Sequence, residues 1–121
     1  MRTLIIDDSR TTRTIISRLL KGLGYETSEA GNGIEALSRI DADGPADIAF
    51  VDWNMPGMTG IEFVQSVRTR HECDAMRIVM VTSENEIGCV SEALAAGADE
   101  YLMKPFSSEA LEEKIALLGT R

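Results

Sequence analysis

Short apolar runs alternate with amphipathic segments from one end of the chain to the other. Four runs are continuous, at residues 4–6, 48–51, 78–81 and 101–103, whereas residues 25–30 alternate polar and apolar side chains. Continuous apolar runs separated by helical segments are typical of parallel strands buried on both faces, and the polar second segment indicates a sheet edge. The pattern predicts five βα units in one open, doubly wound α/β domain over residues 1–121.

The helical segments between these runs carry start signals and apolar faces. A small polar side chain can accept an N–H at a helix start, and an acid three residues later can bond back. The candidate caps are Ser9, Asn32 with Glu35, Thr59 with Glu62, Ser83 with Glu86, and Ser107 or Ser108. The predicted buried faces are, helix by helix, Ile15, Ile16, Leu19, Leu20 and Leu23; Ile34, Leu37 and Ile40; Ile61, Val64 and Val67; Ile87, Val90 and Leu94; and Leu111, Ile115 and Leu118.

The charge balance limits the classes of partner. The chain has 20 acidic residues against 12 Lys and Arg, with a net charge of −8. Such a chain repels nucleic-acid phosphates and anionic membrane surfaces, so we expect neither as a partner. No apolar stretch is long enough to span a bilayer, and the start of the chain does not resemble a signal peptide. The sequence therefore predicts a cytoplasmic protein that binds cations or basic protein surfaces.

Side chains that could take part in binding or catalysis follow four of the five predicted strands. Asp7 and Asp8 end the first strand, Asp52 the third, Thr82 the fourth and Lys104 the fifth. Ligands of such folds bind at the carboxyl ends of the strands, so these side chains should meet at one edge. Taken singly, each has an ordinary explanation as a helix cap or a surface group. Together, carboxylates that need a divalent cation, a lysine and a hydroxyl are the components of phosphoryl transfer.

Four sequence blocks resemble the signature segments of bacterial response-regulator receiver domains. They are residues 6–9, 51–60, 81–83 and 101–106, in the order and with the separations of that family. The segments Asp52-Trp53-Asn54-Met55-Pro56 and Lys104-Pro105-Phe106 are similar to those of single-domain chemotaxis regulators of the CheY type. The resemblance covers essentially the whole chain, and it implies a flavodoxin-like fold with five helices and strand order 2-1-3-4-5.

The resemblance also implies a role for each acid of the site. Asp52 would take a phosphoryl group from a phosphohistidine of a sensor histidine kinase. Mg²⁺, for which Mn²⁺ could substitute, would be held by Asp8, Asp52 and the backbone carbonyl of Asn54, with Asp7 acting largely through water. The Lys104–Pro105 peptide bond is expected to be cis.

The same resemblance implies how a signal would be produced. Lys104 would pair with the phosphoryl oxygens, and Thr82 would offer them its hydroxyl. Tyr101 would then turn inward and change the face built from the fourth helix, fifth strand and fifth helix. Asn54 and Glu84 occupy positions that tune the lifetime of the phosphoryl group in the family. The chain would thus be a self-phosphorylating and self-dephosphorylating switch rather than an enzyme.

Several interpretations of the signalling pathway and of the protein target stay open. Chemotaxis is the first choice, with a flagellar motor switch or another effector as the protein target and a phosphatase as a further partner. A phosphorelay intermediate, a regulator of another enzyme and a phosphorylation-independent interaction module are alternatives. An aspartyl-phosphate hydrolase would place an Asp-x-Asp pair after the first strand, and a flavin mononucleotide-binding domain would have a glycine- and hydroxyl-rich loop there. The adjacent acids Asp7 and Asp8 fit neither class.

Overall fold

The five predicted strands form one parallel sheet in the computed structural model, which describes residues 1–83 and 88–118. The strands are β1 (Arg2–Ile6), β2 (Glu26–Ala30), β3 (Ile48–Asp52), β4 (Arg77–Thr82) and β5 (Glu100–Met103). Their order is β2-β1-β3-β4-β5, and every neighbouring pair is parallel. The predicted order and the edge position of the polar second strand are both confirmed.

Helices connect the strands and cover both faces of the sheet. Over the described residues they are α1 (Arg10–Gly22), α2 (Gly33–Asp43), α3 (Gly60–Val67), α4 (Val90–Ala96) and α5 (Ser108–Leu117), and a 3₁₀ turn lies at His71–Cys73. Crossovers of this kind place α1 and α5 on one face and the other three helices on the opposite face. The doubly wound architecture is therefore confirmed.

Two apolar layers, one on each face of the sheet, hold these elements together. On one face Ile16 and Leu20 of α1 pack with Leu111 and Ile115 of α5. On the other, α2, α3 and α4 pack through Ala36, Ile40, Phe63, Val64, Val67 and Ala93. Every residue of β3 is buried, as expected for the central strand of a parallel sheet. Each large side chain removed from water in these layers contributes roughly 1.5–3 kcal/mol to folding.

The start signals of four helices act as predicted. The side chains of Ser9, Asn32, Thr59 and Ser107 each accept a hydrogen bond from the backbone N–H three residues further on. At α3 the interaction is reciprocal, because Glu62 also accepts from the backbone N–H of Thr59. These bonds satisfy N–H groups that have no partner within the helix.

The bond back from the acid differs at α2, and the predicted cap at Ser83 is not tested. Glu35 bonds back to the N–H of Gly31 rather than to that of Asn32, so the box at α2 is displaced by one residue. Glu86 and Ile87 lie outside the described residues, so the predicted Ser83 cap stays a prediction.

The predicted apolar faces are wrong at three positions. Ile15, Ile34 and Leu94 are exposed, with 63% of Ile34 accessible. Each is one residue from a buried position of its helix, which places it about 100° around the helix from that position. The prediction of a fully buried fifth strand is also wrong, since Met103 of β5 is exposed at the second edge of the sheet.

Over the described residues, no helix combines the length and the apolar character that crossing a membrane requires.

Candidate functional site

Three of the predicted site residues meet where β1, β3 and β5 end. Asp7 follows β1, Asp52 is the last residue of β3, and Lys104 follows β5. The ammonium nitrogen of Lys104 lies 3.4 Å from Asp52 Oδ1 and 3.5 Å from Asp7 Oδ2. Both carboxylates are buried, whereas Lys104 is partly exposed. The hydrogen bonding between β4 and β5 continues one residue past the end of β5, because the Lys104 N–H donates to the Thr82 carbonyl at 2.7 Å.

The acids at this edge have the properties of a divalent cation site. Carboxylate oxygens of Asp7, Asp8 and Asp52 lie within 4.8 Å of one another, and Asp8 is exposed to solvent. Asp7 Oδ2 is buried and, among the described residues, has no hydrogen-bond partner, since its contact with Lys104 is an ion pair without hydrogen-bond geometry. Three carboxylates face one lysine, so a dication would balance the charge. Hard oxygen ligands of this kind suit Mg²⁺.

Burial and neighbouring charge shift the proton affinity of the central carboxylate. Burial, and next the negative charge of Asp7, raise the pKa of Asp52 from 3.8 to about 6, although Lys104 opposes the shift. For Lys104 itself, burial alone would lower the pKa, but the charges of Asp52 and Asp7 outweigh it and the pKa is raised. The lysine is therefore charged at neutral pH. Asp52 is a carboxylate held in a setting that disfavours its charge.

The segment after β3 is held close to Asp52 by backbone contacts. A Cβ at Gly60 would lie 2.5 Å from the carbonyl oxygen of Asp52, so only glycine permits this approach. The N–H of Gly60 donates to the Trp53 carbonyl at 3.0 Å. The reciprocal bonds between Thr59 and Glu62 begin α3 directly after this contact, and they lower the pKa of Glu62. The loop that carries Asn54 therefore ends at a helix whose first residues are held in place by these hydrogen bonds.

The remaining predicted residues differ in their exposure and in the contacts that they make. Thr82 ends β4 and is buried, and its hydroxyl donates to the Ser83 carbonyl at 3.1 Å. Asn54 is exposed, two residues past Asp52. Tyr101 is half-buried on β5, with the Lys114 ammonium 4.3 Å from its ring centroid. Glu84 lies outside the described residues.

A buried carboxylate with a lysine at one side and a cation site at the other can receive an anionic group. The lysine and the cation would offset the negative charge of that group, and the carboxylate oxygen would be the nucleophile. The response regulator receiver domain model matches residues 3–116 of the chain, nearly its whole length. The chain belongs to the response regulator receiver family.

Curated relatives of this receiver are single-domain proteins of similar length. It is 41% identical over 122 residues to the chemotaxis protein CheY1 of Helicobacter pylori, covering 99% of this chain and 98% of the relative. It is 42% identical over 122 residues to the chemotaxis protein CheY of Pseudomonas aeruginosa, covering 100% and 98%. Among solved structures, the chemotaxis protein CheY4 of Vibrio cholerae superposes with a TM-score of 0.89 at 36% identity, covering 97% of both chains.

Family membership confirms the main sequence-based predictions. The fold is flavodoxin-like, and the chain is a response regulator of a two-component system. Receiver domains act as phosphoacceptor switches rather than as conventional enzymes, and they bind Mg²⁺ at an acidic pocket. The carboxylates of Asp7, Asp8 and Asp52 form an acidic group in this receiver that could hold a metal ion.

Two arginines with extensive contacts were not singled out from the sequence. Arg13 of α1 donates to the backbone carbonyl of Asp7 at 2.7 Å and to Glu29 Oε1 at 3.1 Å. Arg68, just past α3, donates to backbone carbonyls and to Asp99 near the amino ends of β4 and β5. Backbone acceptors leave no trace in side-chain identity, so no sequence pattern pointed to either residue.

Proposed function

We propose that Asp52 is the phosphoryl acceptor of this receiver. The observation that carries the proposal is the placement of its buried carboxylate, 3.4 Å from the Lys104 ammonium and within 4.8 Å of the Asp7 and Asp8 carboxylates. A carboxylate oxygen of Asp52 would attack the phosphorus of a phosphohistidine. The N–P bond breaks, its electron pair stays on the imidazole nitrogen, and the product is an acyl phosphate on Asp52.

The surrounding residues would bind and orient the transferred group. Lys104 would exchange its long contacts with the carboxylates for shorter charge-assisted bonds to phosphoryl oxygens. Asp7, Asp8 and Asp52, with the carbonyl of Asn54, would hold Mg²⁺. When bound, Mg²⁺ screens the repulsion between the carboxylate and the anionic phosphoryl group. Since the pocket itself supplies these groups, small phosphodonors should also be able to phosphorylate the protein without a kinase.

The signal would arise from a change in hydrogen bonding at Thr82. Its hydroxyl would turn from the Ser83 carbonyl to a phosphoryl oxygen, and Tyr101 would move inward from its position beneath Lys114. The face formed by α4, β5 and α5 already exposes Leu94, Met103 and Leu117, which suits a protein target. The lifetime of the acyl phosphate would be tuned at Asn54 and at Glu84.

We assign the pathway from the relatives. Their printed names place them in chemotaxis, so a chemotaxis histidine kinase is the proposed phosphodonor and a flagellar motor switch the proposed target, in the cytoplasm, with a phosphatase as a further partner. Phosphotransfer from the purified kinases of the source organism would test this. Preferential transfer from its chemotaxis kinase supports the assignment, whereas preference for another kinase favours the phosphorelay or enzyme-regulator alternative.

Incubation with acetyl phosphate tests the acceptor. We expect the intact mass to increase by one phosphoryl group with Mg²⁺ present, and we expect no increase with a chelator. Asp52→Asn should abolish the increase. Asp74→Asn, a substitution at an exposed aspartate near the 3₁₀ turn, should leave it unchanged. Phosphorylation of Asp52→Asn at the wild-type rate would overturn the acceptor assignment, and a folded wild type that gains no mass would favour a phosphorylation-independent module.

A further inference from the structure

Asp7 is held by its neighbours at every polar group except one. Its N–H donates to the Ala30 carbonyl at 3.1 Å, and its Oδ1 accepts from the Ser9 N–H at 2.8 Å. Its carbonyl accepts from Arg13 Nη1 at 2.7 Å. The remaining atom, Oδ2, is the buried oxygen that faces Lys104. The orientation of the Asp7–Asp8 peptide unit therefore depends on the bond from Arg13.

Arg13 is itself held in place. It lies in the first turn of α1, its side chain is mostly buried, and its Nε donates to Glu29 Oε1 at 3.1 Å. Glu29 is on β2, directly before Ala30, whose carbonyl accepts from Asp7. One guanidinium thus connects α1 to the carboxyl ends of both β1 and β2. A lysine has three donors on one flexible ammonium and lacks the rigid guanidinium fork whose Nε and Nη1 serve these two acceptors.

We propose that Arg13 is a positioning residue for the cation site, and that Glu29 holds it in place. The bond to the Asp7 carbonyl fixes the peptide unit between the two acids and so fixes the direction of both carboxylates. Groups of this outer kind orient metal ligands, and their loss typically lowers metal affinity by roughly 10–100-fold. The inference rests on the proposed function, since it concerns the acids that would hold Mg²⁺.

Simple electrostatics predicts the opposite result, which makes the test decisive. Removing a positive charge beside a cluster of acids should strengthen the binding of a divalent cation. Loss of positioning should weaken it. Arg18 offers a matched control, because it is an exposed arginine of the same helix.

The experiment is a calorimetric titration of Mg²⁺ into the metal-free protein, paired with urea unfolding of each variant. We expect Arg13→Met to weaken Mg²⁺ binding by roughly tenfold or more. Arg13→Lys should fall between Arg13→Met and the wild type, because lysine can donate to the Asp7 carbonyl but lacks the rigid fork that also fixes the side chain against Glu29. Arg18→Met should bind Mg²⁺ as tightly as the wild type or slightly more tightly.

Equal or tighter Mg²⁺ binding by folded Arg13→Met would overturn the proposal, even with a loss of stability, because Arg13 would then support the fold alone. If Arg13→Met does not fold, the same comparison is made with Arg13→Ala, which keeps a good helix former at this position and lacks a side-chain donor, and wild-type affinity in that variant would likewise overturn it. A wild type that binds no Mg²⁺ would remove the cation site itself and so contradict the proposed function. Weakened binding in the Arg13 variants alone supports the inference.

Discussion

Two partly buried cations lie at opposite ends of the parallel strands, at the amino edge and the carboxyl edge of the sheet. They differ in how well they are paired. At the amino edge, Arg68 donates to the carbonyls of Gly97, Cys73 and Met76 at 2.9 Å each and to Asp99 at 3.0 Å. At the carboxyl edge, Lys104 lies 3.4 and 3.5 Å from its two carboxylates. The side chains are similarly accessible, 20% for Arg68 and 34% for Lys104. Burial therefore does not explain the difference.

The two edges show what a polar cluster does when it is complete and when it is not. Around Arg68 every donor bond is short, and Asp99 also accepts from the Ile78 N–H at 2.8 Å, so the cluster ties four segments of backbone together. Around Lys104 the charges do not balance, and one buried oxygen of Asp7 has no hydrogen bond from the part of the chain that the structure describes. A complete network stabilises the fold, whereas an incomplete one costs stability and leaves room for a ligand.

The largest effect should follow from breaking the complete cluster. Arg68→Ala removes a donor from three backbone carbonyls, two of them in the buried residues Cys73 and Met76, and from the Asp99 carboxylate. Asp99 keeps its bond from the Ile78 N–H, and the Cys73 carbonyl keeps its bond from the Met76 N–H. We expect the free energy of unfolding to fall by about 3 kcal/mol, measured by urea denaturation. Mg²⁺ affinity should be unchanged, since the acids lie at the other edge.

Arg39→Ala is the control for this change, because Arg39 is an exposed arginine on α2. It should alter the unfolding free energy by less than about 0.5 kcal/mol. A loss of under about 1 kcal/mol for Arg68→Ala would contradict the contrast between the edges, because the network would then add little to the fold.

The incomplete cluster should respond in the opposite direction. Asp52→Asn removes a charge that burial and Asp7 disfavour, so it should stabilise the metal-free protein at pH 7 by an amount on the order of 2 kcal/mol. An acid whose pKa is raised in the folded state contributes stability at low pH and loses it as the pH rises. The free energy of unfolding of the wild type should therefore drop below that of Asp52→Asn between about pH 4 and pH 6 and remain lower above that range.

Urea denaturation of both proteins from pH 4 to pH 8, with a chelator present, measures this difference. Added Mg²⁺ should then stabilise the wild type more than Asp52→Asn, because the substitution removes a charged ligand. An Asp52→Asn protein that is less stable than the wild type at pH 7 without metal would show that Lys104 already compensates the acids.

The sequence predicted the carboxyl edge better than the amino edge, for a physical reason. Asp7, Asp52, Thr82 and Lys104 each end a strand or directly follow one, so locating the apolar runs locates them. Their shared edge follows from parallel topology alone. Arg68 instead bonds mainly to carbonyls of distant residues, and any residue type can supply a carbonyl. Nothing in its local sequence distinguishes it from an ordinary surface arginine.

Helix faces were predicted with less accuracy than strands. A short apolar run at the centre of a parallel sheet is buried on both sides, so its orientation does not matter. A helix buries one face only, and the choice between Ile15 and Ile16 depends on where α1 meets the sheet. The switching roles of Thr82 and Tyr101 stay predictions, because they concern the phosphorylated protein.

The smallest effect should come from Arg70, two residues from Arg68. Arg70 Nη1 lies 2.6 Å from Asp41 Oδ1, a shorter contact than any that Arg68 makes, but the Asp41 side chain is 65% exposed. Water can replace an exposed partner, and ordering two long side chains costs entropy, so Arg70→Ala should change the unfolding free energy by less than about 0.5 kcal/mol. A double-mutant cycle with Asp41→Ala, at low and high salt, isolates the pair. A coupling above about 1 kcal/mol that persists in high salt would mean that distance outweighs the number and burial of the acceptors, and the contrast between the two edges would need another explanation.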